Sequence, residues 1–138
     1  MALTWDDSFL LGITDIDEQH RTIIEQFTSF SEAIQSGTAK EKLHDTAHFL
    51  VKYAGEHFAL EETYMERYDY PKIAEQRREH QEFSSYAVEL LQKVEEDGAS
   101  RELALALSGK MIRWVIQHIR NYDHEMGDYV RERMKAEH

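Results

Sequence analysis

Apolar residues recur at three-to-four spacing along almost the whole chain, and only one proline, Pro71, and 6 glycines interrupt them. That period belongs to helices, and no stretch alternates as a strand does. Four segments carry it. The first predicts a helix over 17–35, with Ile16, His20, Ile23, Phe27, Phe30 and Ile34 on one face and Gly37 just past its end. A second, over 40–67, aligns Leu43, Ala47, Leu50, Ala54, His57, Glu61 and Tyr64 and ends before Tyr70–Pro71, because a proline ring disfavours helix in the residue before it. Pro71 suits the first turn of a third helix over 71–97, with Ile73, Gln76, His80, Phe83, Ala87, Leu90 and Val94 inward and Gly98 as its stop. Ser100 can cap a fourth, whose inner face holds Leu103, Leu107, Met111, Trp114, His118 and Tyr122.

Short connections make successive helices antiparallel. The expected fold is therefore all-α, an up-and-down four-helix bundle preceded by an extended N-terminal arm anchored by Trp5. With 138 residues the chain suffices for one domain, 1–138, and not for two ordinary ones.

Composition removes several classes of function. A formal charge of −11 repels nucleic acid and anionic membranes, and arginines interleaved with glutamates leave no basic groove. The opening residues carry acids where a signal peptide carries bases, and no apolar run approaches membrane-spanning length, so a cytoplasmic location is expected. With no cysteine there is no disulfide, thiolate nucleophile, iron–sulfur cluster or thiolate zinc site. Any metal must be held by His, Asp or Glu.

The informative anomaly is that every helix carries a ligand-type side chain on its apolar face: His20 on the first, His57 and Glu61 on the second, His80 on the third and His118 on the fourth. One histidine on an apolar face is ordinarily a satisfied core residue. Four helices each presenting such a group make a shared metal the economical explanation, since burying ionisable groups without partners is costly. His57 and Glu61 form H-x-x-x-E, and four residues turn a helix about 400°, so both point nearly the same way. A surface pair has the same spacing; position on the apolar face favours a site. His44 and His48 fall on the polar flank and His138 at the terminus, and all three read as solvent histidines. The direction of His124 is left open.

Taken together, DIDEQH at 15–20, HFALEE at 57–62, YP at 70–71, EHQEF at 79–83 and H-x-x-x-x-D from His118 to Asp123 resemble the hemerythrins, specifically the bacterial single-domain ones. The resemblance implies a four-helix bundle around two non-haem iron ions with an oxo or hydroxo bridge, binding dioxygen reversibly. By motif position His20 and His57 would ligate one iron, His80 and His118 the other, and Glu61 and Asp123 would bridge. Asp123 rests on the resemblance alone, because five residues turn an ideal helix about 500°; the helix must loosen there or the side chain must reach.

The chain departs from this pattern at Gln76, where such hemerythrins have a histidine one turn before His80. Three outcomes are open for it: ligation through the amide oxygen, a second open position, or a weakly held second iron. Reversible binding needs a dry pocket, and Ile23, Ile24, Phe27, Phe58, Trp114 and Val115 flank the ligand positions at helical spacing. The leading expectation is a non-enzymatic protein of oxygen storage, transport or sensing. The alternative is a di-iron enzyme with peroxidase, ferroxidase or nitric-oxide-reducing activity, and a third class is a metal-free helical bundle.

Overall fold

The computed structural model describes residues 5–137. It contains four long helices: α1 (Thr14–Ser36), α2 (Ala39–Arg67), α3 (Ile73–Asp97) and a fourth rod, α4. The α4 rod joins α-helical Arg101–Ala106, Arg113–His118 and His124–Ala136 through π-helical Leu107–Ile112 and Ile119–Asp123, with right-handed helical dihedrals at every junction. Among the described residues there is no strand, and no helix is long and apolar enough to cross a membrane.

Each boundary has a local cause. Gly37 ends α1 in the left-handed conformation (φ 80°), and its N–H and that of Thr38 close on carbonyls of the last turn. The Ser100 hydroxyl accepts from the N–H of Leu103 and starts α4 as expected. Pro71 lies in the turn before α3 rather than in its first turn, since the helix begins at Ile73 with Lys72 as its N-cap. The arm is not wholly extended either. A 3-10 turn at Asp7–Phe9, capped by the Asp6 carboxylate, folds Phe9 into the core, where it packs against Trp5.

Cross-helix pairs give the direction of the chain. Lys42 meets Ser29 and, further along α2, His57 meets Gln19, so α2 runs against α1. Phe58 packs on Phe83 while Arg77 reaches Glu62 and Glu66, reversing α3 against α2. Lys110 covers Tyr86 while Lys72 reaches Glu125, reversing α4 against α3. The up-and-down bundle follows.

Its interior is layered. One apolar cluster holds Phe27, Phe30, Leu43, Leu50, Phe83, Leu90 and Leu107. A smaller one at the other end holds Leu11, Ile13, Ile16, Met65, Tyr70, Met126 and Val130. Thr46 apart, the buried polar residues of the four helices fall between these two clusters: His20 between Ile16 and Ile23, His57 and Glu61 before Met65, Gln76 and His80 before Phe83, His118 and Asp123 before Met126.

Two expected inner positions are displaced. Met65 is fully buried where Tyr64 was expected, because the stripe drifts with the 3.6-residue turn; the Tyr64 hydroxyl instead donates to the Asp15 carboxylate at 2.8 Å. Tyr122 is 37% exposed, for a reason given below. The arm is tied to α1 by Asp17, whose carboxylate accepts from the N–H of Leu11 at 2.7 Å and of Gly12 at 3.0 Å. Asp17→Ala is expected to lower unfolding free energy by about 1–2 kcal/mol, the usual cost of losing a charged acceptor of backbone N–H groups, measured by urea denaturation.

Candidate metal centre

The polar layer brings together every ligand candidate that the sequence singled out. His20, His57, Glu61 and Asp123 present nitrogen and oxygen atoms within 4.8 Å of one another, and so do Glu61, His80, His118 and Asp123. The two sets share both carboxylates. Asp123 spans them, with Oδ2 3.2 Å from Nε2 of His20 and Oδ1 3.2 Å from Nε2 of His118. Glu61 does the same, with Oε2 3.3 Å from His20 and Oε1 3.2 Å from His80 and 3.5 Å from His57.

The π segment makes this possible. Hydrogen bonds from i to i+5 widen the turn, so residue 123 rather than residue 122 lies over His118. Asp123 turns inward and is fully buried, and Tyr122 is rotated towards solvent, stacking on the His118 ring at 5.2 Å. The five-residue spacing that an ideal helix cannot accommodate is the spacing that a π turn aligns.

Three imidazoles are oriented from behind. Nδ1–H of His57 donates to Oε1 of Gln19 at 2.7 Å, that of His80 to Oε2 of Glu62 at 2.9 Å and that of His118 to Oε1 of Glu79 at 3.4 Å. These oxygens only accept, so the proton sits on Nδ1 and the Nε2 lone pair faces the centre. The supports pass round the bundle, α1 to α2, α2 to α3 and α3 to α4. Sequence reading missed Gln19, Glu62 and Glu79. The available signal was that each adjoins a ligand position, and so lies one step round its helix, towards the next one.

The electrostatics suit a cation. Burial and mutual repulsion oppose ionisation of Glu61, but the surrounding histidines hold its pKa below the usual carboxylate value; burial likewise opposes ionisation of Asp123, and His118 and His20 hold it well below. Burial pulls His20 down, yet the adjacent Asp123 and Glu61 carboxylates override this and raise it to about 9. In His57 burial wins and the pKa falls to about 4. The inward atoms of His20, Glu61, His80 and His118, and Oδ2 of Asp123, are buried without hydrogen-bond partners, which is the condition a bound metal ion relieves. The residues fit a metal.

A family model described as the hemerythrin HHE cation-binding domain matches residues 11–138. The chain belongs to the hemerythrin family. It is 32% identical to a bacteriohemerythrin of Stenotrophomonas maltophilia over 129 residues, 94% of this chain and 82% of that one. A bacteriohemerythrin of Clostridium acetobutylicum is 29% identical over 127 residues (90% and 98%), and a myohemerythrin of Riftia pachyptila is 26% identical over 119 (86% of each). Family membership makes non-haem iron the metal and dioxygen the ligand class of this hemerythrin domain.

Beside the centre lies a cavity of about 20 Å³, room for one water-sized molecule, lined by His20, His57, His118 and Asp123 and by a largely apolar wall. Ile23, Phe58, Trp114 and Val115 line it, as expected. Ile24 and Phe27 do not; they are fully buried in the core, the first about 100° round α1 and the second a turn further from the layer. Leu50, Tyr53, Ala54, Phe83 and Ile119 complete the wall. His124 faces away, its Nε2 donating to the carbonyl of Ser8 at 2.7 Å, and His44 and His48 are exposed. His138 lies outside the described residues.

The pH dependence of the metal-free protein follows. Stabilisation from His20 is complete below its ordinary pKa of 6.5 and is lost as pH rises through about 9, with His118, also raised, acting in the same sense. Stabilisation from neutral His57 is lost as pH falls from 6.5 through about 4. Tm of the metal-free protein is expected to peak near pH 6.5 and fall on both sides, and metal loading is expected to abolish the alkaline fall, since the ion replaces the His20 proton. Calorimetric melts with and without metal across this range check both.

Proposed function

We propose that this domain is a reversible dioxygen-binding protein of storage, transport or sensing, built around two non-haem iron ions. His20 and His57 would hold one ion and His80 and His118 the other, with Glu61 and Asp123 available to both. The observation that carries this reading is the pairing of two four-residue sets sharing both carboxylates. When bound and reduced, such an iron pair would supply two electrons to dioxygen.

The chain's own residues do the rest. Glu61 and Asp123 are shared by the two sets and so would fix the spacing between two bound ions. Gln19, Glu62 and Glu79 keep three imidazoles in the ligating tautomer. The wall of Ile23, Leu50, Phe58, Trp114 and Val115 admits one small molecule and excludes the bulk water that promotes irreversible oxidation. The small, apolar-walled cavity suits a single small neutral ligand such as dioxygen.

Titration of the anaerobic metal-free protein with ferrous iron is expected to saturate at two ions per chain, and admission of air to give a visible band that bleaches on deoxygenation over repeated cycles. A single irreversible oxidation, or many turnovers with hydrogen peroxide beyond those of free iron, would move the assignment to the enzyme. Loading is expected to stabilise the fold by about 2.7 kcal/mol per ion at a hundredfold excess of metal over Kd, several degrees in Tm. Val115→Ala, which widens the cavity wall, is expected to keep dioxygen binding but shorten the life of the oxygenated form, followed as decay of the visible band.

A further inference from the structure

Gln76 is the one member of the polar layer that family membership does not place. It is 1% exposed and lies one turn before His80 on the inner face of α3, so both side chains address the same region. Its amide nitrogen donates to the carbonyl of Tyr122 at 3.1 Å and to Oδ1 of Asp123 at 3.2 Å. A backbone carbonyl and a carboxylate only accept, so the amide cannot be turned round without setting oxygen against oxygen twice. The orientation is locked, and both amide protons are used.

The amide oxygen is then left buried without a donor. Gln19 shows the contrast: its Oε1 receives the Nδ1–H of His57 and is satisfied. Among the described residues, every other buried side-chain nitrogen or oxygen without a partner, the Trp5 indole nitrogen apart, belongs to His20, Glu61, His80, His118 or Asp123. Oε1 of Gln76 shares their condition. The cavity touches His20, His57, His118 and Asp123 but neither His80 nor Gln76, so Oε1 does not line it.

Resting on the two-metal reading above, the geometry points to Gln76 as a metal ligand through its amide oxygen, joining His80, His118, Glu61 and Asp123. The same amide is held by its nitrogen on Asp123 and Tyr122. A carbonyl oxygen is a harder donor than imidazole and an accepted ligand of first-row divalent ions. The two positions are then unequal: the His80–His118 ion has five protein donors and the His20–His57 ion four, and the cavity is lined by both histidines of the four-donor set but only by His118 of the other. An incoming small molecule finds the freer position at the His20–His57 ion.

The test uses the full chain with glutamine isotope-labelled at Cδ, titrated with a spin-active cadmium isotope and followed by nuclear magnetic resonance. The Gln76 resonance is identified by its loss in Gln76→Leu, or in the shape-conserving Gln76→Glu if the leucine variant fails to fold. Two equivalents are expected to bind, and the Gln76 Cδ signal to move downfield and show coupling to cadmium with one of them, while the Gln19 signal shows no coupling. Gln76→Leu is expected to weaken one equivalent by at least tenfold and leave the other unchanged, with Gln76→His restoring it. Two equivalents bound with the Gln76 signal unmoved and uncoupled would overturn the ligand assignment and leave the two-metal centre standing. Fewer than two equivalents in the unmutated chain would overturn the two-metal reading itself, and the Gln76 assignment with it.

Discussion

Two carboxylates buried in the middle of a helical bundle are the constraint around which this molecule is organised. Glu61 and Asp123 are fully buried and repel one another, and no apolar packing can compensate that arrangement. Four imidazoles, one from each helix, surround them, and one of these, His20, is held protonated near neutrality by the carboxylates themselves. The polar layer is an electrostatic assembly designed to be neutralised by cations. The apolar clusters on either side supply the fold's cohesion and keep water from the layer.

The π turn at Ile119–Asp123 shows how a local departure from regular structure serves the centre. A helix that continued in α geometry would put Tyr122 over His118 and leave only one carboxylate between the two sets. Widening a single turn exchanges the tyrosine for the aspartate and places Tyr122 against the outer side of the His118 ring. With Trp114 stacked on the other side at 4.5 Å, His118 is held between two aromatic rings. Phe58 lies flat on His80 at 3.9 Å and also lines the cavity, so the residue that steadies one ligand also shapes the space open to a small molecule.

The supports behind the histidines follow from the topology. In an antiparallel bundle the residue next to a ligand position faces the adjacent helix, so Gln19, Glu62 and Glu79 each reach the imidazole of the next helix in order. The same geometry makes Gln76 distinctive. Its amide nitrogen faces α4 and its oxygen finds no donor at all, whereas Gln19, on the outer side of the layer, uses its oxygen to orient a ligand.

Helix number and type, the inner stripes and five of the six carboxylate and imidazole positions could be read from the sequence, because a 3.6-residue period converts spacing directly into direction along a regular helix. The family resemblance was equally legible, since its motifs are local and occur in order. Directions that depend on irregular backbone or on a neighbouring helix were not. Asp123 needed a π turn to face inward, Tyr122 was displaced by it, Pro71 fell outside the helix it was expected to begin, and Ile24 and Phe27 sit in the core instead of the cavity wall. What only the tertiary structure decided was which way each amide and each supporting carboxylate points. That depends on donors and acceptors contributed by residues distant in the chain, which helical spacing alone does not encode.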